Sequence, residues 1–212
     1  MHGTIPKQFI EVAGKPIIAY TLERFENHPS IDRILTVCIK GWENVVWNLA
    51  KNYSILKLCK VVTGGDSALS SIKKGVDAVD CTDDDIIIIH DGVRPLVDAA
   101  SIDSVISDCQ IYGGAISAVP LVEHIVYEGK SRTDIHYIPR ENAFRAITPQ
   151  AYRYAKIRDA FQKAEQTGIG MHSAFIGTMM MDLGETVCLS KGSDRNVKIT
   201  EHKDLVYFKS EL

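Results

Sequence analysis

Asp83-Asp84-Asp85-Ile86-Ile87-Ile88-Ile89-His90-Asp91-Gly92-Val93-Arg94-Pro95 is the stretch on which the reading of the fold turns. Four consecutive isoleucines cannot alternate between a wet face and a dry one. Such a run predicts a strand covered on both faces, as parallel strands are when helices pack on either side of a sheet. The apolar run stops at His90-Asp91, and ligands of open α/β sheets bind just beyond the carboxyl ends of the strands. Asp91 is therefore a candidate ligand for a metal or a substrate. The alternative is an Asp that only caps the turn after the strand.

Outward from this strand, the pattern alternates. On the amino-terminal side, Pro6-Lys7-Gln8-Phe9 and Ala13-Gly14-Lys15-Pro16 lead into a predicted helix at about 17–27, stopped by Pro29. A buried strand is expected at 34–39, a helix at 42–53 and a short strand at 58–63. Gly64-Gly65-Asp66-Ser67 follows at once, with Asp66 or Ser67 as the cap of a helix carrying Leu69, Ile72, Val76 and Val79 at helical spacing. A Gly-Gly turn feeding a helix offers free N–H groups to a phosphate or a nucleotide edge. An ordinary strand-to-helix turn is the other reading. Beyond the isoleucine strand, Ile102, Val105, Ile106 and Cys109 mark another amphipathic helix, and 115–119 another strand. This is the pattern of a Rossmann-like α/β fold, a doubly wound and mainly parallel sheet.

The rhythm changes at Pro120. His124-Ile125-Val126-Tyr127 and Ile135-His136-Tyr137-Ile138 flank the turn-rich Glu128-Gly129-Lys130-Ser131. A β-hairpin arm at about 121–142 is predicted, projecting from the sheet. Pro149 is expected to avoid a central ladder position. A helix at 155–166 follows, then a methionine-rich segment at 172–183 read mostly as core helix. A short strand at 187–189 and a last helix capped by Thr200, with Leu205, Phe208 and Leu212 inward, complete a single domain over 1–212.

Composition narrows the function classes. An apolar fraction of 45% supports a full core, and a net charge of -3 gives no global attraction to nucleic acid or to anionic membrane. No apolar run approaches the roughly 20 residues that span a bilayer. Cys38, Cys59, Cys81, Cys109 and Cys188 are scattered without a Cys-x-x-Cys pair, which fits reduced thiols in a cytoplasmic protein and argues against zinc. No Gly-x-Gly-x-x-Gly supports a dinucleotide-binding dehydrogenase. What remains is a set of cations beside turns (Lys7, Arg94, Lys198, and Arg140 in the arm) with one carboxylate, Asp91. Triphosphate chemistry uses this mixture: a carboxylate-held divalent metal bridges phosphate oxygens, and Lys or Arg stabilises the charge of the transition state.

Pro6-Lys7-Gln8-Phe9, Gly64-Gly65-Asp66, His90-Asp91-Gly92-Val93-Arg94-Pro95, Thr148-Pro149-Gln150 and Asn196-Val197-Lys198-Ile199-Thr200 stand in one order along nearly the whole chain. In that order and spacing the sequence resembles the sugar-alcohol phosphate cytidylyltransferases. The family includes methylerythritol phosphate cytidylyltransferase of isoprenoid synthesis and ribitol-phosphate cytidylyltransferase of teichoic acid and capsule synthesis. The resemblance implies transfer of CMP from CTP to a polyol phosphate, with release of diphosphate. By motif, it implies that Lys7 and Lys198 face the phosphates and that Asp91 holds Mg²⁺. Gly65, Asp66 and Ser71 would border the cytosine pocket. Arg140 and Thr148 would bind the polyol phosphate, partly from the arm of a second subunit in a homodimer interlocked through the hairpins. Arg94 and His124 complete the candidate set.

The sequence also departs from the family. A first strand and a glycine-rich loop ending in Arg-Met precede Pro-Lys-Gln in the family; here Met1 stands at the end of that loop. The expectation is that Met1 is an internal methionine, that the strand beside Ile86–Ile89 is not in this sequence, and that the 212-residue chain has little or no activity. Ala68 replaces an arginine common in the family, and Glu123-His124 replaces Asp-Thr at the start of the arm. His124 either substitutes for a hydroxyl that binds substrate phosphate or is a solvent-facing hairpin residue. A non-catalytic member that binds nucleotide or a partner is the competing function. Gly41-Trp42 and the form of residues 90–97 lean toward the ribitol-phosphate type.

Overall fold

The structure, a computed structural model, describes residues 5–212; Met1 lies outside the described residues. A 3-10 turn at Lys7–Phe9 and a small hairpin, β1 (Glu11–Val12) and β2 (Lys15–Pro16), lead into α1 (Ile17–Glu26). Strand and helix then alternate: β3 (Ile34–Cys38), α2 (Glu43–Asn52), β4 (Leu58–Thr63), α3 (Ala68–Ala78), β5 (Ile86–Ile89), α4 (Ala99–Tyr112), β6 (Gly114–Pro120). The hairpin β7 (Ile125–Glu128) and β8 (Ile135–Ile138) comes next, then β9 (Phe144–Arg153) and α5 (Tyr154–Thr167). The chain continues through α6 (Ile176–Asp182), β10 (Cys188–Lys191) and α7 (His202–Ser210).

One sheet has the order β10-β6-β9-β5, and β3 and β4 form a separate parallel pair. Only β9 runs against its neighbours: β5 and β6 both pair with it antiparallel, while β10 is parallel to β6. The class is the α/β, Rossmann-like one that the alternation predicts. The paired arm also forms, with Ile125 opposite Ile138 and Glu128 opposite Ile135.

Helix ends follow local chemistry. Ser67, not Asp66, caps α3: its Oγ accepts from the Ser70 amide at 3.1 Å, and Ser70 Oγ accepts from the Ser67 amide at 2.9 Å. At α7 the expected Thr200 cap gives way to a box built by Glu201 and Asp204. The Asp204 carboxylate accepts from the Thr200 and Glu201 amides, both at 2.8 Å, which a single hydroxyl could not match. Leu212 is exposed rather than inward, since it lies beyond the end of that helix. In the 172–183 segment only α6 is helical, because a turn from Gly170 to Ser173 precedes it; Met179 and Met180 are buried as expected. Pro149 lies within β9 but takes no ladder position, as the sequence leads one to expect. The ladder with β6 shifts register between Ile116 and Ala118, so residues 147–149 bulge there and no amide is needed from the proline.

The isoleucine strand is covered on both faces. Ile87 and Ile89 pack on the cluster of Leu69, Val76, Ile157, Phe161 and Met179. Ile86 and Ile88 pack against Val105 and Cys109 of α4. Yet all four are only half-buried. The reason is the edge of β5 away from β9, which faces β3 across an open slot.

Candidate active site

The carboxyl ends of β3 and β5 meet the segment around Lys198. A cleft of about 210 Å³ there is lined by Lys7, Phe9, Cys38, Asp91, Gly92 and Lys198. It adjoins a larger cavity, of about 1150 Å³, whose lining includes Ser71, Asp91, Arg94, Thr148 and Lys198. Six candidate residues thus come from five separate stretches of sequence to one place at the strand ends.

The turn after β5 is built rigidly. The Arg94 amide donates to the Asp91 carbonyl at 3.0 Å, and Thr21 Oγ1 donates to the Gly92 carbonyl at 3.1 Å. The Ile199 amide donates to the Val93 carbonyl at 2.9 Å, tying the Lys198 segment to this turn. The Asp91 amide donates to Thr148 Oγ1 at 3.2 Å. Asn196 joins both sides: its Nδ2 donates to the Thr148 carbonyl at 2.7 Å, and its own carbonyl accepts from Arg94 Nη1 at 2.7 Å. Asn196 was not among the sequence candidates. Nothing in an Asp-Arg-Asn run separates a buried tether from a solvated turn residue.

The Asp91 carboxylate is shared. Arg94 Nε donates to Oδ2 at 2.9 Å, and Lys198 Nζ donates to Oδ1 at 3.1 Å. Burial pushes this carboxyl up, but Lys198 and Arg94 more than offset it and hold the group below the ordinary Asp value. Asp91 is therefore ionised at neutral pH. Each oxygen keeps a lone pair beyond its one N–H donor.

His90 is the second residue that sequence reading passed over as a site group. Its Nε2–H donates to the Arg94 carbonyl at 3.0 Å, and its ring lies 5.1 Å from that of Phe25. Burial pushes its pKa down from 6.5 to about 4, so the folded protein keeps the ring neutral. The unfolded chain takes up that proton near the ordinary value. The stability contribution is therefore complete above pH 6.5 and is lost as pH falls towards about 4. His90→Gln, whose side-chain amide can still reach the Arg94 carbonyl, should show a smaller fall in unfolding midpoint over that pH range. An identical fall in the variant would rule out His90 as the source.

The Gly-Gly turn does not present free amides. The Gly64 amide donates to the Cys38 carbonyl at 2.8 Å, and the Gly65 amide to Ser71 Oγ at 3.0 Å. A Cβ at Gly65 would collide with Ser70, so glycine is required by close approach. Ser71 lines the cavity; Gly65 and Asp66 do not, and Asp66 is exposed. His124 and Arg140 are exposed on the arm and line neither cavity. The projection of the hairpin keeps them from the Asp91 cleft within one chain.

The profile of the family described as "IspD: 2-C-methyl-D-erythritol 4-phosphate cytidylyltransferase" matches residues 1–211. The chain belongs to this family. It is thus an enzyme, a nucleotidyltransferase of the cytidylyl-transferring kind. A ribitol-5-phosphate cytidylyltransferase of Lacticaseibacillus paracasei is 44% identical over 215 residues, covering 100% of this chain and 92% of that relative. A 2-C-methyl-D-erythritol 4-phosphate cytidylyltransferase of Clostridium botulinum is 34% identical over 211 residues, 97% of this chain and 89% of that relative. Among solved structures, the 2-C-methyl-D-erythritol 4-phosphate cytidylyltransferase of Francisella tularensis superposes with a TM-score of 0.82 at 25% identity, covering 98% of this chain and 94% of that one. In this cytidylyltransferase, the cleft at Asp91 and Lys198 sets one carboxylate between two cations at the strand ends.

Proposed function

We propose that this cytidylyltransferase transfers CMP from CTP to ribitol 5-phosphate. A phosphate oxygen of the polyol phosphate attacks the α-phosphorus of CTP. The bond from that phosphorus to the bridging oxygen breaks, diphosphate leaves, and CDP-ribitol forms. The observation that carries the reading is an ionised carboxylate gripped by two cations at the carboxyl ends of β3 and β5, with Lys7 in the same cleft. The identity of 44% with a ribitol-5-phosphate cytidylyltransferase over the whole chain supports this acceptor over methylerythritol 4-phosphate.

Roles follow from position. Lys7 and Lys198 neutralise phosphate charge, and Arg94 fixes the Asp91 turn. Ser71 and Thr148 reach the ligand from the cavity wall; Gly65, outside that wall, holds Ser71 through its amide. No group of three or more His, Cys, Asp or Glu side chains suited to a metal exists among the described residues. Asp91 alone would hold Mg²⁺, with phosphate oxygens of the nucleotide supplying further ligands, a pattern usual for this ion. Bound there, Mg²⁺ supplies charge neutralisation on the phosphates. His124 and Arg140 would serve a neighbouring subunit's cleft in a homodimer. The exposed Val126, Tyr127, Ile135 and Tyr137 of the arm suit such a contact. None of the helices among the described residues is long and apolar enough to cross a membrane, and a cytoplasmic setting fits the substrates.

The test is formation of labelled CDP-polyol from α-labelled CTP and Mg²⁺ with each acceptor in turn. Product from ribitol 5-phosphate, formed faster than from 2-C-methyl-D-erythritol 4-phosphate, is the expected result. No labelled product with either acceptor would overturn the reading; a preference for the second would overturn the choice of acceptor.

A further inference from the structure

Lys7 differs from the other cations of the cleft in how it is held. Arg94 and Lys198 are placed by their bonds to Asp91. Lys7 is placed from behind, by the 3-10 turn that carries it. The Phe9 amide donates to the Pro6 carbonyl at 2.9 Å, and the Ile10 amide to the Lys7 carbonyl at 3.3 Å. With three residues per turn, side chains two apart leave in different directions. Lys7 accordingly lines the cleft while Phe9 is buried.

The Phe9 ring is the anchor of this turn. It belongs to the cluster of Ile18, Leu22, Cys38 and Val46. It also stacks on Trp42, with ring centroids 4.4 Å apart and an interplanar angle of 19°. Two flat faces in contact fix the tilt of a ring as well as its depth.

Trp42 is itself held firmly. Its amide donates to the Ile39 carbonyl at 3.1 Å and closes a turn in which Gly41 stands at φ +86°, a conformation glycine adopts freely. Its carbonyl accepts from the Val46 amide at 3.0 Å in the first turn of α2. Glu43 accepts through Oε2 from the Gly41 amide at 2.8 Å, and through Oε1 from Thr63 Oγ1. Thr63 leads into Gly64 and Gly65, and the Gly65 amide donates to Ser71 Oγ at 3.0 Å. One turn therefore braces both the ring behind Lys7 and the end of β4 that leads to Ser71.

We infer that Trp42 is a positioning residue for cytidylyl transfer: through its stack on Phe9 it fixes the turn that aims Lys7 into the cleft. The inference rests on the phosphate-neutralising role proposed for Lys7. Trp42 lines neither cavity, so it acts through Phe9 and not on the substrate. The Gly41-Trp42 pair thereby acquires a physical duty at the site. The glycine makes the turn, and the tryptophan presents the stacking face.

The test is a double-mutant cycle of Trp42→Leu and Lys7→Ala, read as kcat/KM for CTP. Trp42→Leu should lower it by about tenfold to a hundredfold, the scale on which misplacement of a reacting group acts. Phe9→Leu removes the other ring and should give the same loss. Trp42→Phe keeps a ring against Phe9 and should restore most of the activity. In the Lys7→Ala background, Trp42→Leu should cost less than about twofold. Trp47→Leu, at the half-exposed second tryptophan of α2, should change little. A readout without substrate is amide hydrogen exchange at Phe9 and Ile10, which should speed by about tenfold in Trp42→Leu while that at the ladder residue Ile87 holds. Equal losses from Trp42→Leu in both backgrounds, no rescue by Trp42→Phe, or unchanged exchange at Phe9 and Ile10 would overturn the inference. Full transfer by Lys7→Ala would overturn the role of Lys7 and the inference with it, and is told apart because exchange at Phe9 and Ile10 still speeds in Trp42→Leu.

Discussion

Asp91→Asn is expected to lower cytidylyl transfer by roughly 10²–10³-fold, the scale of losing one preorganised charged contact to a transition state. The substitution keeps the shape and removes the charge. Two cations, Arg94 at 2.9 Å and Lys198 at 3.1 Å, then lose their shared counter-ion. Any Mg²⁺ held there loses its one carboxylate. The same variant has a signature that needs no substrate. The folded carboxyl titrates below its ordinary value of 3.8, so its ion pairs stabilise the protein above that value and are lost as pH falls through the lower one. Asn has no such proton to take up. The fall in unfolding midpoint at the most acid pH should therefore be shallower in the variant than in the parent. Activity within about threefold of the parent would remove Asp91 from the reaction, on a scale where a tenfold change is 1.36 kcal/mol. An unchanged acid limb would contradict the ion-pair geometry.

How much of this was legible in the sequence differs by level. The isoleucine run, Gly64-Gly65 and the hydrophobic spacing of α3, α4 and α5 gave element type and order, because each signal is local. Asp91 was legible for the same reason: a carboxylate at the end of a doubly covered strand. The direction of β9 was not. It depends on the arm leaving and re-entering the sheet between β6 and β5, a long-range pairing with no local mark. The isoleucine run by itself did not show the half-burial of β5, since hydrophobicity reports what a face wants and not whether an edge has found a partner. Cap identity failed at α7 because Thr200 and Glu201 are both plausible caps, and the carboxylate of Asp204 decides between them through two amides at once.

The site shows the same division. Lys7, Asp91 and Lys198 were readable as chemistry and Thr148 only through the resemblance, and the structure brings them together. His90 and Asn196 hold them there and were not singled out, because a tether is defined by its partners' positions. His90 braces the Arg94 carbonyl, and Asn196 links Thr148 to Arg94. The Gly-Gly-Asp turn was readable as a candidate, yet its amides are already spent on Cys38 and Ser71. Of this turn and the helix it feeds, Ser71 lines the cavity, while Gly65 and Asp66 do not.

Lys198→Ala should lower turnover by about 10²-fold while leaving the unfolding midpoint within a few degrees of the parent. The two cations on Asp91 differ in freedom. The Arg94 side chain is 13% exposed and is fixed by both Asp91 and the Asn196 carbonyl; that of Lys198 is 42% exposed and donates to Asp91 alone. An exposed Lys–carboxylate pair contributes less than about 1 kcal/mol, so Lys198 can leave Asp91 for an incoming phosphate at little cost. Arg94→Ala removes a side chain with two partly buried partners, the Asn196 carbonyl and the Asp91 carboxylate, and should lower stability clearly more. Lys198→Arg retains charge but carries it on a planar fork rather than a compact ammonium, and should restore part of the lost turnover. Equal losses of stability in Lys198→Ala and Arg94→Ala would contradict this division. Full turnover in Lys198→Ala would mean that Lys7 alone supplies the cation at the cleft, and that Lys198 serves only to hold Asp91.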